Sequence, residues 1–352
     1  MKSKRFLLIF FLLSFIVLAI NVAVNYKYDL YGVFEKDFSK KRTFITNERY
    51  AKINYLLHEG QGKFDTFIFG SSRVQLFDPS IISNKTYNLS YSAGLPHDFL
   101  RDLKTLFKNY PGIKKIYIGV DDQQYKRLPE EVNGRLNYIG YGSWWDNCKS
   151  ENSLLLRFPN KDTVSYMRGN LDAVHAQFNI DTDGRIVSET TQKPVKYWQE
   201  YVKDKRFTEP TYLPEKNKRT DKTIAELRDI KALCDKHGAE LILFFTPVHV
   251  VTYLANDEKN FTDFKQKLVQ VAPFYDFCTI NFITENNYFW SETSHFRNNV
   301  ADLILRKLKG ETKKVPANFG VLVNAGNIQE HLAKQEQYKK NYLGTEHVQY
   351  VP

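Results

Sequence analysis

The chain has 352 residues, 42% hydrophobic and 26% charged, enough apolar material for one large globular domain with extensions or for two smaller domains. An aromatic content of 15% and only 12 prolines exclude a disordered chain, and a mean hydropathy of -0.47 excludes a multi-spanning membrane protein. The formal net charge of +10 permits an anionic partner without naming one.

The first element is an apolar run from Phe6 to Val24, uncharged and interrupted only by Ser14 and Asn21. At about 1.5 Å per residue it spans a hydrocarbon core of roughly 30 Å as a single helix. It has no polar face, as a buried core helix would. Lys2, Lys4 and Arg5 precede it, which places the N-terminus in the cytoplasm and everything after Asn25 outside. A cleaved signal peptide is the competing reading. The run is longer than the usual signal core and no small-x-small site follows it before Tyr26, so the expectation is an uncleaved anchor over residues 1–25.

Residues 25–42 form a Tyr-rich, mixed-charge connector. A helix capped by Thr46 or Asn47 follows, with Tyr50, Ile53, Leu56 and Leu57 on one face and Gly60 and Gly62 at its end. Phe64 to Phe69 is a short apolar run, too short for a helix, and reads as a buried strand, with a second strand near Thr86 to Leu89. His97 to Phe107 is an amphipathic helix, terminated by Pro111 and Gly112. Lys115 to Val120 is the third strand. Ile224, Leu227, Ile230 and Leu233 mark a helix closed by Gly238, followed by a fourth strand, Leu241 to Phe245. Phe261, Phe264, Leu268 and Val271 share a helix face, Phe274 to Phe277 is a fifth strand, and Phe296 to Leu308 is a further helix. Alternating helices and nearly continuous apolar strands predict an α/β domain with a parallel sheet covered on both faces.

Residues 122–219 break this rhythm and read as an insertion. It leaves the carboxyl end of the third strand, where open α/β sheets place ligands, so it is expected to wall the site. After Gly310 a polar segment of unassigned role follows, with possible helix around Gln329 to Tyr342. Cys148, Cys234 and Cys278 have no partners at metal spacing, so no metal or cofactor is expected. The basic residues form no aromatic-interleaved cluster, which argues against a nucleic-acid partner.

Two stretches could carry chemistry. Strand Phe67 to Phe69 runs straight into Gly70, Ser71, Ser72 and Arg73, and a serine on a strand-to-helix turn sits beside free backbone N–H groups. An ordinary strand end with a serine cap is the plainer explanation of that stretch alone. Near the other end, Glu292 stands three residues before His295. The carboxylate can accept the Nδ1–H bond of the imidazole, leaving Nε2 for a serine hydroxyl. Weaker candidates are Arg73 for an anionic substrate group, His249 just past the fourth strand, and Trp144, Trp145 and Tyr141 in the insertion as sugar-stacking rings.

These blocks, in this order, resemble the SGNH (GDSL-like) hydrolases, specifically the membrane-anchored branch that modifies cell-wall polymers and exopolysaccharides with acyl groups. The resemblance covers Phe64 to about Gly310 without the insertion. It implies a three-layer αβα, flavodoxin-like sheet within a 26–310 domain, followed by a 311–352 extension. Gly70-Ser71-Ser72 matches the G-D-S block with Ser in place of Asp, which assigns the nucleophile to Ser72, with Ser71 as the reserve. Asn88 to Gly94 matches the second block, assigning an oxyanion-hole N–H to Gly94 beside that of Ser72. Glu292 and His295 match the D-x-x-H block with Glu for Asp. The G-x-N-D block reads Gly119-Val120-Asp121-Asp122, so Asp121 stands where the oxyanion-hole asparagine is expected. A carboxylate there repels a developing oxyanion unless protonated or turned away, which points to slow, specific transfer over fast hydrolysis.

The resemblance therefore implies an extracytoplasmic O-acyltransferase, with acetyl the expected group, that acts on a surface polysaccharide or cell-wall glycan and works beside a membrane-bound O-acyltransferase partner. A carbohydrate esterase of the same fold and a non-catalytic polysaccharide-binding protein are the alternatives.

Overall fold

A computed structural model describes residues 2–28, 48–129, 155–156, 158, 164, 168, 178–188, 195–211, 217–256 and 258–351. The expected caps Thr46 and Asn47, the aromatic candidates Tyr141, Trp144 and Trp145, and Cys148 lie outside these residues.

The apolar run forms α1 (Lys2–Tyr28), long and apolar enough to cross a membrane. From Phe6 to Ile20 its side chains are exposed around the whole circumference, Phe6 at 69% and Leu8 at 71%, as an element that meets its apolar surroundings outside the fold requires, whereas Asn21 and Asn25 are buried and donate to Leu155 O. α2 (Glu48–His58) follows, then β1 (Thr66–Phe69), β2 (Thr86–Asn88), α3 (Pro96–Asn109) and β3 (Lys115–Val120). The insertion opens with the short α4 (Asp122–Lys126), capped by the Asp121 carboxylate, which accepts from the N–H groups of Gln123 and Gln124. Within it β4 (Phe178–Ile180) and β5 (Ile186–Ser188) form an antiparallel hairpin, and α5 (Trp198–Tyr201) precedes its return. Then come α6 (Thr220–Lys236), β6 (Glu240–Phe245), α7 (Val250–Ala255), α8 (Glu258–Leu268) and β7 (Phe274–Asp276). The chain ends with α9 (Phe282–Glu285), α10 (Asn298–Lys309), β8 (Val321–Val323) and α11 (Ile328–Leu343).

The six-stranded sheet has the order β2-β1-β3-β6-β7-β8 and is parallel except for β8, which pairs antiparallel with β7. The central strands are buried almost continuously, as a sheet covered on both faces requires, and successive side chains point alternately to the two faces. Phe67, Phe69, Ile116 and Ile118 pack under α2, α3, α6 and α8, whereas Ile68, Tyr117 and Phe244 pack with Val300, Ile304 and Leu308 of α10. Phe99, Leu103 and Leu106 on α3, and Leu227 and Ile230 on α6, are fully buried, and each such side chain contributes roughly 1.5–3 kcal/mol.

The extension after Gly310 is integral to the sheet, because β8 supplies its edge. α11 is fastened by His331, whose Nε2 lies 2.8 Å from an Asp276 carboxylate oxygen that also pairs with Lys265 at 2.7 Å. The hairpin turn docks on β2, where Asn88 N donates to Asp183 O at 2.8 Å. Gly184 is required there: its φ is +81° and a Cβ would lie 2.3 Å from Asn88 O.

The strand order reverses direction at β1, with β2 on one side and β3 on the other, so a crevice opens beyond their carboxyl ends.

Candidate active site

Three strand ends converge on that crevice. β1 delivers Ser71, Ser72 and Arg73, the segment after β2 delivers Ser92, Ala93 and Gly94, and β3 delivers Asp121; they line a cleft of about 310 Å³ together with Ser294 and His295. After β1 the chain continues as consecutive turns rather than a helix, with Val74 N donating to Ser71 O at 3.0 Å and Phe77 N to Val74 O at 3.1 Å. Gly70 permits this fold-back, since a Cβ there would lie 2.4 Å from Val74 Cγ2. Asn88 ties the two loops together: its amide nitrogen donates to Val74 O at 2.9 Å and its oxygen accepts from Ser90 N at 3.0 Å.

His295 lies in a loop before α10 rather than in its first turn. The loop is closed by a bridge between Trp290 and Phe296 and by Ser291 N donating to His295 O at 2.8 Å. This closure brings Glu292 beneath the imidazole. His295 Nδ1 donates to Glu292 Oε1, and His295 Nε2 lies 2.9 Å from Ser72 Oγ. With Nδ1 carrying the hydrogen, Nε2 presents its lone pair to the serine hydroxyl. Burial acts to raise the Glu292 carboxyl, but hydrogen bonds from His295, Thr211 and Ser294 N–H and the charge of His295 outweigh it and hold its pKa below the ordinary value.

Ser71 is turned away from His295. It is buried and its hydroxyl donates to Asp121 Oδ2. The Asp121 carboxylate is thereby fully engaged, by Ser71 on one oxygen and by Gln123 N at 2.9 Å on the other. It accepts at each contact and supplies no donor to an oxyanion. Gly94 also departs from its expected role: it lines the cleft, but its N–H donates to Tyr91 O at 3.1 Å. The residue before it, Ala93, is the single non-glycine of positive φ among the described residues, at +55°. The backbone N–H groups of Ser72 and Ala93 donate to no other group among the described residues, and both residues line the cleft.

Arg73 is a tie rather than an open substrate contact. Arg73 is 3% exposed; its guanidinium donates to Asp122 Oδ1 at 2.7 Å, to Ser294 O at 3.0 Å and to Ser294 Oγ at 2.8 Å. Burial favours the neutral Asp122 carboxyl, yet Arg73 and Lys126 overcome it and hold its pKa far below the usual range. The residue next to Ser72 is therefore bonded to the residue next to His295. His249 is likewise removed from the cleft. It is 2% exposed, its Nδ1 accepts from Val251 N at 3.3 Å to cap α7, and its Nε2 lies 2.7 Å from Asn287 Oδ1. Burial pushes its pKa down to about 4, against the opposing pull of Asn287 and Glu292.

Two supports escaped the sequence reading. Glu48, at the start of α2, accepts from Ser92 N at 2.7 Å and from Ser92 Oγ at 3.0 Å, bracing the loop that carries Ala93. Thr211, at the return of the insertion, donates to Glu292 Oε2. Neither carries a local signal, because each acts on a residue distant in sequence. Among the described residues no group of three or more His, Cys, Asp or Glu could hold a metal.

No family model matches the chain. No curated protein matches it either. Among solved structures, one described as "a putative platelet activating factor from Streptococcus pneumonia" is similar at 10% identity and a TM-score of 0.40, over 75% of this chain and 90% of that one.

Proposed function

We propose that this chain is a serine acyltransferase or esterase of SGNH type, anchored by α1 with its sheet domain outside the cytoplasm, and that it transfers an acyl group, acetyl by preference, to a hydroxyl of a surface polysaccharide or cell-wall glycan. One observation carries the reading: Ser72 Oγ stands 2.9 Å from His295 Nε2 while His295 Nδ1 is held by Glu292, beside two uncommitted backbone N–H groups.

In the proposed cycle His295 Nε2 takes the Ser72 proton as Oγ attacks the carbonyl carbon of the acyl donor. The N–H groups of Ser72 and Ala93 stabilise the oxyanion. The leaving alcohol recovers the proton from His295, giving an acyl-serine. An acceptor hydroxyl then loses its proton to His295 and attacks the acyl carbon, which restores Ser72. Each step is a proton transfer or an acyl exchange, so no oxidant or reductant enters.

The Asp121 carboxylate leaves the oxyanion without a side-chain donor from that position, and the loss of one such donor slows catalysis by roughly 10²- to 10³-fold, for transfer and hydrolysis alike. Lys2, Lys4 and Arg5 ahead of the apolar run support the orientation. The acyl group would have to be delivered across the membrane, so a membrane-bound acyltransferase partner is part of the proposal.

The test is turnover of p-nitrophenyl acetate by the full chain in detergent, with and without oligosaccharide acceptors. Turnover lost in Ser72→Ala, with acceptor acetylation outrunning hydrolysis, supports a transferase. Hydrolysis alone selects the esterase, and turnover that survives Ser72→Ala rejects the serine mechanism.

A further inference from the structure

We infer that Thr211 is a positioning residue for the general base, which makes the return of the insertion a working part of the site rather than only its wall. The inference rests on the serine–histidine reading above.

The carboxylate of Glu292 has two jobs separated by oxygen. Oε1 accepts from His295 Nδ1, and Oε2 accepts from Ser294 N at 2.7 Å and from the Thr211 hydroxyl. Without a second donor on Oε2 the carboxylate can pivot toward solvent, since the Glu292 side chain is 24% exposed. A pivot withdraws Oε1 from Nδ1 and releases the ring that points Nε2 at Ser72.

Thr211 is itself held in place. Its N–H donates to Thr293 Oγ1 at 2.7 Å, and Thr293 Oγ1 donates to Glu209 O at 3.0 Å. Further back along the same return, Tyr201 Oη donates to Trp290 O at 2.6 Å and Asn287 Nδ2 donates to Val202 O at 2.6 Å. The segment from Tyr201 to Thr211 thus runs alongside the 287–293 segment, and Thr211 is the point at which it reaches the carboxylate. The line of contacts is Ser72, His295, Glu292, Thr211, with the last member supplied by a segment about eighty residues earlier in the chain.

The test compares Thr211→Val, which keeps the shape and removes the hydroxyl, with Thr211→Ser, which keeps the hydroxyl, in the full chain in detergent. For p-nitrophenyl acetate, Thr211→Val is expected to lower kcat about tenfold with KM unchanged, and Thr211→Ser to stay within about twofold of wild type, the scale of one hydrogen bond to a charged group. A second measurement is independent of turnover: the downfield proton resonance of His295 Nδ1–H, identified by its loss in His295→Gln, should persist in Thr211→Ser and shift or broaden in Thr211→Val. An unchanged resonance and kcat in Thr211→Val, or equal losses in both variants, overturns the inference. Turnover that survives Ser72→Ala removes the serine mechanism instead, and the resonance then decides the role of Thr211 alone.

Discussion

Replacing Arg73 separates a tie from a substrate contact. Its guanidinium makes three hydrogen bonds, one to Asp122 and two to Ser294, in a fully enclosed setting. Removing one member of a buried ion pair costs about 3–5 kcal/mol. Here Asp122 keeps a second cation, Lys126, at 2.8 Å, so Arg73→Met belongs at the lower end, about 3 kcal/mol. Arg73→Lys preserves the charge beside Asp122 but cannot also reach Ser294 O and Ser294 Oγ. With hydrogen bonds to charged groups worth about 1.5–3 kcal/mol, its cost is about 2 kcal/mol, within the 5–15 kcal/mol that keeps a domain folded. The kinetic effect follows from where the lost bonds lie. Freed from Arg73, the Ser294 backbone no longer fixes His295, and a displacement of about 1 Å between reacting groups can cost roughly 10²-fold. Urea unfolding followed by tryptophan fluorescence gives the stability term, and p-nitrophenyl acetate kinetics give the second. Arg73→Lys should lower kcat with KM unchanged. A raised KM at full kcat, with wild-type stability in Arg73→Met, would show that the guanidinium meets substrate and that the tie is incidental.

The pH dependence of stability should carry the mark of His249. Its folded-state pKa of about 4 lies below the ordinary 6.5, so between these values the unfolded chain binds a proton that the folded chain refuses. Stability contributed by the neutral ring is therefore intact above pH 6.5 and falls as pH drops toward 4, by up to about 3 kcal/mol. Urea midpoints across that window should flatten in His249→Gln, and equal slopes would contradict the assignment. Gly184→Ala forces a side chain into a φ of +81° and against Asn88 O; the strain alone is about 1–2 kcal/mol, and amide exchange at Asn88, bonded to Asp183 O, should accelerate. Ala93→Gly relieves a positive φ of +55° and retains the N–H, so it should preserve kcat and leave thermal stability equal or raised by about 1 kcal/mol at most; a large loss of turnover would remove Ala93 from the proposed oxyanion site.

Much of the fold was legible because its signals are local. Strands such as β1, β3 and β6 announce themselves as short apolar runs, and the helices between them by spacing; Ile224, Leu227 and Ile230 sit buried on one face of α6. The spacing of Glu292 and His295 also worked, since both fall within one loop closed on itself. β8 was missed because Val321–Val323 is a three-residue edge strand, exposed at Leu322, too short to show a period. The hairpin at 178–188 was hidden because its strands are three residues each, too short to show a period. Side-chain roles were less legible than positions. Arg73 could not be separated from a substrate ligand until Asp122 and Ser294 were seen around it. Gly94 drew attention as the glycine of its block, but Ala93 takes the left-handed backbone beside it and leaves its own N–H uncommitted.

The proposed mechanism requires that Ser72, and no other serine, carries the acyl group. Brief incubation of the full chain with p-nitrophenyl acetate, acid quench and mass spectrometry of the peptides locates any acyl-enzyme directly. One acetyl group is expected on Ser72, absent from Ser72→Ala and strongly reduced in His295→Ala. An acetyl group on Ser71, or labelling of Ser72 that does not depend on His295, would contradict the mechanism.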